Sequence, residues 1–137
     1  VDSHSIFNEN WDVHPIQDIK ATPSFPKSCL THYPPGHDNP NFDKPASRIC
    51  GAKFTDTDIE SQIVRLTVSD SFEKEFKKVP CKAPFVGAGY VFVHSSFLAW
   101  MPFDPYVPWV FMGEEIMFSL RLYTWGFDIY SPTHNTL

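Results

Sequence analysis

Prolines constrain this chain more than any other residue type. The 13 prolines break the 137 residues into short segments, because proline lacks a backbone donor and blocks the helix interior. A helix of about three turns is expected only near the C terminus, where Glu114 and Glu115 open a segment that Gly126 closes at the position of a left-handed C-cap. Seven of the ten residues in Ile116–Trp125 are apolar or aromatic and lie on all sides of this helix, which predicts burial inside a larger body.

Composition limits the class of protein. The hydrophobic fraction of 42% and aromatic fraction of 16% allow a buried core, as one domain or as part of a larger one. The formal charge of -5 and the lack of a sustained basic run argue against a nucleic-acid partner. No apolar run approaches the roughly 20 residues of a membrane span. The first residue is not methionine and both ends read as extended, so a fragment is expected, and the compartment (cytoplasm or Golgi) stays open.

The three cysteines form no recognisable framework. Cys29, Cys50 and Cys81 are widely spaced and lack the C-x-x-C spacing of zinc sites. Buried thiols are therefore expected, with a single Cys50–Cys81 disulfide as the open alternative.

Turn-forming residues divide the chain into short predicted elements. Asp12 can N-cap a short helix that reaches Ile19, with Pro15 tolerated in its first turn. Residues 95–96, both serine, can cap another short helix, which Pro102 ends. Strands are predicted at 27–33, 48–54 and 63–68, a polar loop at 37–46, a turn at 55–58 and weak structure at 69–82.

An Asp-x-His pair near the start of the chain is a candidate metal site. Val1–Phe7 alternates like a strand end, which would place Asp2 and His4 on one face because side chains repeat every two residues. A carboxylate and an imidazole suit manganese or zinc better than calcium. The competing interpretation is a strand end without a ligand, since Asp and His are common there.

Two further segments could contact a ligand. Gly87-Ala88-Gly89 leads into a strand that is apolar on both faces up to His94, as buried central strands are, and its small residues allow close approach to the backbone. It is not a dinucleotide fingerprint, because the G-x-G-x-x-G spacing is absent. Phe103–Phe111 is an aromatic loop held by prolines, which suits either a sugar ring or core packing.

These motifs together carry a family resemblance. The motifs are Asp2-Ser3-His4, Asn10-Trp11-Asp12, Thr31-His32-Tyr33-Pro34-Pro35-Gly36, Ile49-Cys50-Gly51-Ala52-Lys53-Phe54, Gly87-Ala88-Gly89-Tyr90-Val91-Phe92, Phe103-Asp104-Pro105, Gly113-Glu114-Glu115-Ile116 and Ser131-Pro132-Thr133. In this order they resemble the GT-A glycosyltransferases, specifically the hydroxyproline-directed polypeptide N-acetylglucosaminyltransferases that modify the ubiquitin-ligase adaptor Skp1. The segment from Gly87 to Arg121 is also similar to mucin-type polypeptide N-acetylgalactosaminyltransferases.

The resemblance implies an α/β fold in which residues 1–137 form the C-terminal part of a GT-A mixed-sheet domain, truncated at both ends. It implies a retaining enzyme that moves N-acetylglucosamine or a related sugar from a UDP-sugar donor to a polypeptide hydroxyl. A chain without the half that binds the nucleotide base is expected to bind the donor poorly and to be inactive by itself.

The resemblance also implies roles for individual residues. Asp2 and His4 would hold Mn²⁺ or another divalent cation, together with a further histidine expected just past the Ser-Pro-Thr segment and beyond Leu137, for which His134 is the substitute within this chain. The catalytic carboxylates would be Glu114, near the reacting centre, and Glu115, which lies about 100° further round the helix and would position loops. The donor would contact Gly87, Ala88, Gly89, Trp109, Phe111 and Gly113.

Other classes of function remain open. One is a non-catalytic carbohydrate- or protein-binding module on the same fold. Another is a metal hydrolase that uses Asp2, His4 and His32. A glycosidase is disfavoured, because the adjacent Glu114 and Glu115 cannot face each other across a cleft.

Overall fold

A mixed four-stranded sheet organises the protein. The computed structural model describes residues 1–36, 38, 45–54, 63–69 and 78–137. Its elements are α1 (Val13–Ala21), β1 (Ser28–Thr31), β2 (Arg48–Phe54), β3 (Val64–Ser69), β4 (Cys81–Lys82), β5 (Val91–Val93), α2 (Ser96–Trp100), α3 (Glu114–Thr124) and β6 (Asp128–Ser131). The sheet order is β4-β6-β1-β5, and β2 and β3 form a separate antiparallel pair.

Strand β1 is the centre of the sheet. It pairs in parallel with β6 and antiparallel with β5, while β4 extends the sheet antiparallel beyond β6. Parallel neighbours require a crossover connection, and α2 and α3 lie in the connection between β1 and β6. The arrangement is mixed α/β, and the predicted α/β class is confirmed at that level.

Alternation along the strands creates a core on each face of the sheet. Cys29 and Leu30 are adjacent and fully buried, so their side chains point to opposite faces. On the face of the sheet that α2 and α3 cover, Cys29 and Ile129 belong to one cluster of buried residues. The other members are Ala83, Val86, Phe97, Met101, Leu122 and Phe127. On the face that α1 covers, Leu30 and Tyr130 belong to a second buried cluster with Ile19, Tyr90 and Leu137.

Glycines stand at both ends of α3, and the one at its C-terminal end, Gly126, was predicted there. Gly113 (φ 90°) stands before Glu114, and Gly126 (φ 78°) follows the C-cap Trp125, both in the left-handed region that glycine adopts without strain. The predicted burial on all sides is wrong for this structure. Only one face packs on the sheet, and Met117, Leu120 and Tyr123 are exposed on the other.

The predicted strand at the N terminus is also wrong. The backbone N–H of Ser5 donates to the carbonyl oxygen of Asp2 at 3.2 Å, and the Ser5 hydroxyl donates to the same oxygen at 2.8 Å. A serine hydroxyl that bonds to nearby backbone offers the chain an alternative to a strand ladder. Asp2 and His4 therefore belong to a turn rather than to one strand face.

The remaining predicted elements match in part. β2 and β3 lie where strands were predicted, and β1 occupies the centre of its predicted segment. The strand after the glycine segment has three half-buried residues and lies at the edge of the sheet rather than at its centre, because β1 is its one partner among the described strands. Asp12 and Ser95 stand at the N-caps of α1 and α2, but neither side chain makes a capping hydrogen bond. The short β4 interrupts the segment predicted to be weakly structured, and most of that segment, the loop at 37–46 and the turn at 55–58 lie outside the described residues.

All three thiols are free. Cys29 is buried, which raises the pKa of its thiol to about 12, and Cys50 and Cys81 are half-buried. The alternative Cys50–Cys81 disulfide is not formed. Among the described residues, no helix has the length and apolar character that crossing a membrane requires.

Two leucines of α3 test which face of the helix carries the core. Leu122 is completely buried, whereas Leu120 is 52% exposed. Leu122→Ala is expected to lower the free energy of unfolding by about 2–5 kcal/mol, because it leaves a cavity, and Leu120→Ala by less than about 1 kcal/mol. Urea unfolding measures both. Equal losses in the two variants would contradict the packing described here.

Candidate functional site

A cavity of about 430 Å³ lies beside the start of α3. It is bordered by four separate parts of the chain and by Asp2 from a fifth. The lining residues are Asp2, Tyr33, Pro34, Val64, Arg65, Leu66, Ala88, Gly89, Phe111, Met112, Gly113, Glu114, Glu115 and Ile116. Residues 33–34 follow the end of β1, the central strand, and ligand sites in α/β sheets are typically found at the carboxyl ends of strands.

Glu115 connects three of these parts. The Tyr33 hydroxyl donates to its Oε2 at 2.6 Å, and the backbone N–H of Ala88 donates to its Oε1 at 2.9 Å. Burial and this hydrogen bond raise the pKa of Tyr33, so the phenol keeps its proton and remains a donor. Both carboxylate oxygens of Glu115 are thus used to hold the strand end and the glycine segment against the helix.

Ser119, one helical turn further on, adds a second connection. Its hydroxyl donates to the carbonyl oxygen of Glu115 at 2.6 Å and accepts the backbone N–H of Val86 at 2.8 Å. The glycine segment is therefore attached to α3 at Val86 and at Ala88.

Glu114 also lines the cavity, but its carboxyl has different surroundings from that of Glu115. Its side chain makes no hydrogen bond within the part of the chain that the structure describes. Burial raises the pKa of Glu114, and the negative charges of Glu115 and Asp2 raise it further. A partly buried carboxyl with a raised pKa in a cavity is typical of functional sites.

The glycine segment has two distinct sides. Gly89 lines the cavity, and a Cβ there would lie 3.3 Å from Oδ2 of Asp2. Gly87 does not line the cavity and packs inside the protein instead. A Cβ at Gly87 would come within 2.6 Å of Ile49 and 2.8 Å of Tyr33. Gly87 is thus small for packing inside the protein, while Ala88 and Gly89 are the residues open to a ligand.

Asp2 joins this cavity to a second one of about 150 Å³. The lining residues of the second cavity are Asp2, His4, Ser5, Ile6, Pro34, Pro35, Gly36 and Leu137. The structure thus brings Asp2 and His4 to one cavity, although they lie in a turn. A carboxylate oxygen and an imidazole nitrogen fit a divalent cation such as Mn²⁺.

His134 lies elsewhere. It lines neither cavity, its Nδ1 is 2.8 Å from the Thr133 hydroxyl, and its ring faces that of His14. Within the described residues, no three histidine, cysteine, aspartate or glutamate side chains converge on a metal position. His134 is therefore not brought together with Asp2 and His4.

His32 is also separate from both cavities. It is completely buried, its ring packs 4.7 Å from that of Tyr90, and burial lowers its pKa to about 4. A fully enclosed imidazole cannot join Asp2 and His4 as a metal ligand in this arrangement, so the metal-hydrolase interpretation loses its third ligand.

The aromatic loop before α3 is exposed and not part of the core. Phe111, which lines the cavity, is 79% exposed, and Trp109 is fully exposed and does not line it. Trp109 has φ 66°, a strained conformation for a bulky residue. The loop is anchored where Phe103 stacks on Phe118 at 5.7 Å. The structure thus places Phe111, but not Trp109, beside the cavity.

Sequence reasoning missed the part of the cavity contributed by Tyr33 and by strand β3. Tyr33 directly precedes the Pro-Pro-Gly turn, and a polar residue at a strand end is a signal that could have found it. Arg65 has no such signal, because its place in the cavity follows from how the β2–β3 pair sits beside α3.

The mixed α/β sheet and its acidic cavity agree with a transferase that handles polar substrates. The family model described as glycosyltransferase (GlcNAc) matches residues 1–137, and the chain belongs to this family of glycosyltransferases. No curated protein and no solved structure matches the chain. Family membership confirms the predicted class of enzyme, a glycosyltransferase.

The Tyr33–Glu115 hydrogen bond can be tested by a double-mutant cycle. Tyr33→Phe is expected to lower the free energy of unfolding by about 1–3 kcal/mol, because it leaves Oε2 of a charged group without its donor. Combined with Glu115→Gln, the losses should be non-additive by at least about 0.5 kcal/mol. Tyr123→Phe, on the exposed face of α3, is the matched control and should change stability little. Additive losses in urea unfolding would contradict a direct interaction.

The raised pKa of Glu114 predicts how its replacement changes stability with pH. For an acid whose pKa is higher in the folded state, the unfolded chain binds fewer protons between the two pKa values, so stability falls as pH rises through that window. Glu114→Gln removes this loss. The variant should therefore gain stability over the wild type as pH rises above the ordinary value of 4.5, and should not differ from it at lower pH. Urea unfolding across this range measures the difference, with Glu9→Gln outside the cavity as control; a gain that is independent of pH would contradict the assignment.

Proposed function

We propose that the cavity beside α3 is the sugar-transfer site of a metal-dependent retaining glycosyltransferase with a GT-A fold. The enzyme would move N-acetylglucosamine, or a related sugar, from a UDP-sugar to a polypeptide hydroxyl. The observation that carries this proposal is that Asp2 and Glu114, distant in sequence, line one cavity together with the small residues Ala88 and Gly89. The family assignment supports the sugar, and the ordered motifs support the polypeptide acceptor.

Asp2 and His4 are the residues that would hold the divalent cation. A bound cation would supply Lewis-acid neutralisation of the diphosphate leaving group. Asp2 lines both cavities, so its carboxylate would connect the diphosphate end of the donor to the sugar end.

Glu114 would act on the reacting sugar and the acceptor. Its carboxyl makes no hydrogen bond with the described part of the chain, so it can accept bonds from sugar or acceptor hydroxyls. Its raised pKa makes proton exchange with a hydroxyl easier than for an ordinary glutamate.

Glu115 would position the donor-binding wall. Its Oε2 accepts a hydrogen bond from Tyr33 and its Oε1 accepts one from Ala88, so the carboxylate is held in place by the protein itself. Through Ala88 it would fix the segment against which the donor sugar lies, and Phe111 would cover the sugar from the other side.

The hydroxyproline-directed enzymes that modify Skp1 are the specific relatives that the motifs favour. We therefore infer a hydroxyl of a polypeptide, such as that of hydroxyproline, as the acceptor. The mucin-type enzymes resemble this chain only in the segment from Gly87 to Arg121, so serine and threonine hydroxyls are the second choice of acceptor.

Turnover of UDP-N-acetylglucosamine with Mn²⁺, in the protein that carries this chain, tests the proposal. Asp2→Asn and Glu114→Gln should each lower kcat by at least about 100-fold, because each removes a charge at the reacting centre. The matched controls are Asp12→Asn and Glu9→Gln, two exposed acids outside both cavities, and both should keep wild-type turnover.

Two outcomes would overturn the proposal. Wild-type turnover in Asp2→Asn and Glu114→Gln would show that the reaction takes place elsewhere. Calorimetry that detects no UDP or Mn²⁺ binding, but does detect a glycan, would favour the non-catalytic module instead.

A further inference from the structure

Two histidines from distant parts of the chain face each other on the side of α1. His14 lies in the first turn of α1, and His134 lies in the segment after β6. Their ring centres are 5.0 Å apart, with 31° between the ring planes. His14 is exposed and His134 half-buried, so solvent and small solutes can reach the pair.

His134 is held by a hydrogen-bonded chain that ends on a buried carboxylate. Thr133 donates its backbone N–H to Oδ2 of Asp18 at 2.7 Å, and its hydroxyl lies 3.0 and 2.9 Å from Oδ1 and Oδ2. The same hydroxyl lies 2.8 Å from Nδ1 of His134. Asp18 and Thr133 are both more than nine-tenths buried, so the hydrogen bonds between them lie inside the protein rather than at its surface.

This series of hydrogen bonds determines which nitrogen of His134 carries a proton. An ionised carboxylate accepts hydrogen bonds but cannot donate them, so the Thr133 hydroxyl gives its one proton to Asp18. The hydroxyl oxygen then accepts from Nδ1 of His134, which must carry the proton of the neutral ring. Nε2 is left with its lone pair, the arrangement that metal-binding histidines have when their other nitrogen donates to an outer-shell partner.

We propose that His14 and His134 bind one zinc ion, with water completing its coordination. Two imidazoles that bind a tetrahedral zinc ion at about 2.0–2.1 Å have ring centres roughly 5 Å apart, which the observed spacing matches. Imidazole ligands favour Zn²⁺ over Mn²⁺, so this site and the Asp2–His4 pair would prefer different ions. Since no third metal-binding side chain joins the pair among the described residues, the ion would remain open to solvent.

Zinc at this position would fasten the C-terminal segment to α1. The segment already contacts the N-terminal region, where the backbone N–H of Asn8 donates to the carbonyl oxygen of Thr136 at 3.3 Å. Leu137 lines the cavity that contains Asp2 and His4. The zinc site would therefore stabilise one wall of that cavity from outside. It does not depend on the proposed transferase function, and either proposal can fail alone.

Calorimetric titration with zinc chloride at pH 7.5 tests the site. The protein that carries this chain is used in a His4→Ala background, which removes the other candidate pair. One zinc ion should bind, and His14→Ala or His134→Ala should each weaken binding at least tenfold. His94→Ala replaces an exposed histidine far from the pair in sequence and should leave zinc affinity unchanged.

Substitutions at Thr133 separate a ligand pair from a simple ring contact. Thr133→Val keeps the size and the backbone bond to Asp18 but removes the hydroxyl, and should weaken zinc binding about tenfold, as loss of outer-shell partners does. Thr133→Ser keeps the hydroxyl and should bind zinc like the parent. Circular dichroism of each variant confirms that it is folded. Unchanged zinc affinity in folded His14→Ala and His134→Ala, or no zinc binding in the parent, would overturn the proposal.

Discussion

The candidate site depends on one carboxylate whose two oxygens are both bonded to the protein itself. Glu115 accepts hydrogen bonds from Tyr33 at the end of β1 and from the backbone of Ala88, using one oxygen for each. Because Ser119 repeats the connection one turn later, the start of α3 cannot move independently of the strand end or of the glycine segment. The shape of the cavity follows from this set of bonds. Glu114, the residue directly before it, lines the same cavity, and its carboxyl makes no hydrogen bond with the described residues.

The like charges that meet at the cavity lower the stability of the folded protein and raise the pKa of Glu114. Asp2, Glu114 and Glu115 are brought close enough for the two neighbours to raise the pKa of Glu114. Such crowding of like charges costs folding free energy, and it persists where the surrounding bonds hold the groups in place. A cation beside Asp2, or hydroxyl donors beside Glu114, would relieve this repulsion, which is why the proposed sugar-transfer function fits an acidic cavity.

Local sequence patterns predicted elements whose ends are marked by special residues. β2 was predicted at its observed ends, and α3 ends at the C-cap before Gly126 as predicted. Patterns failed where local hydrogen bonds or missing neighbours decided the outcome. Asp2 accepts the turn bonds of Ser5, so Val1–Phe7 is not a strand. The apolar segment after Gly89 is an edge strand, because within the described part of the chain it pairs with β1 alone.

Residue types and their spacing were enough to predict the class of fold, the family resemblance and the residues from which a site could be built. How those residues are used depends on contacts that form in the folded chain. The folded structure bonded Glu115 to Tyr33 and Ala88, assigned Gly87 to packing and Gly89 to the cavity, and placed His134 beside His14 instead of Asp2. The reason is that each of these outcomes is a contact between segments far apart in the chain, and such contacts leave no periodic trace in the sequence.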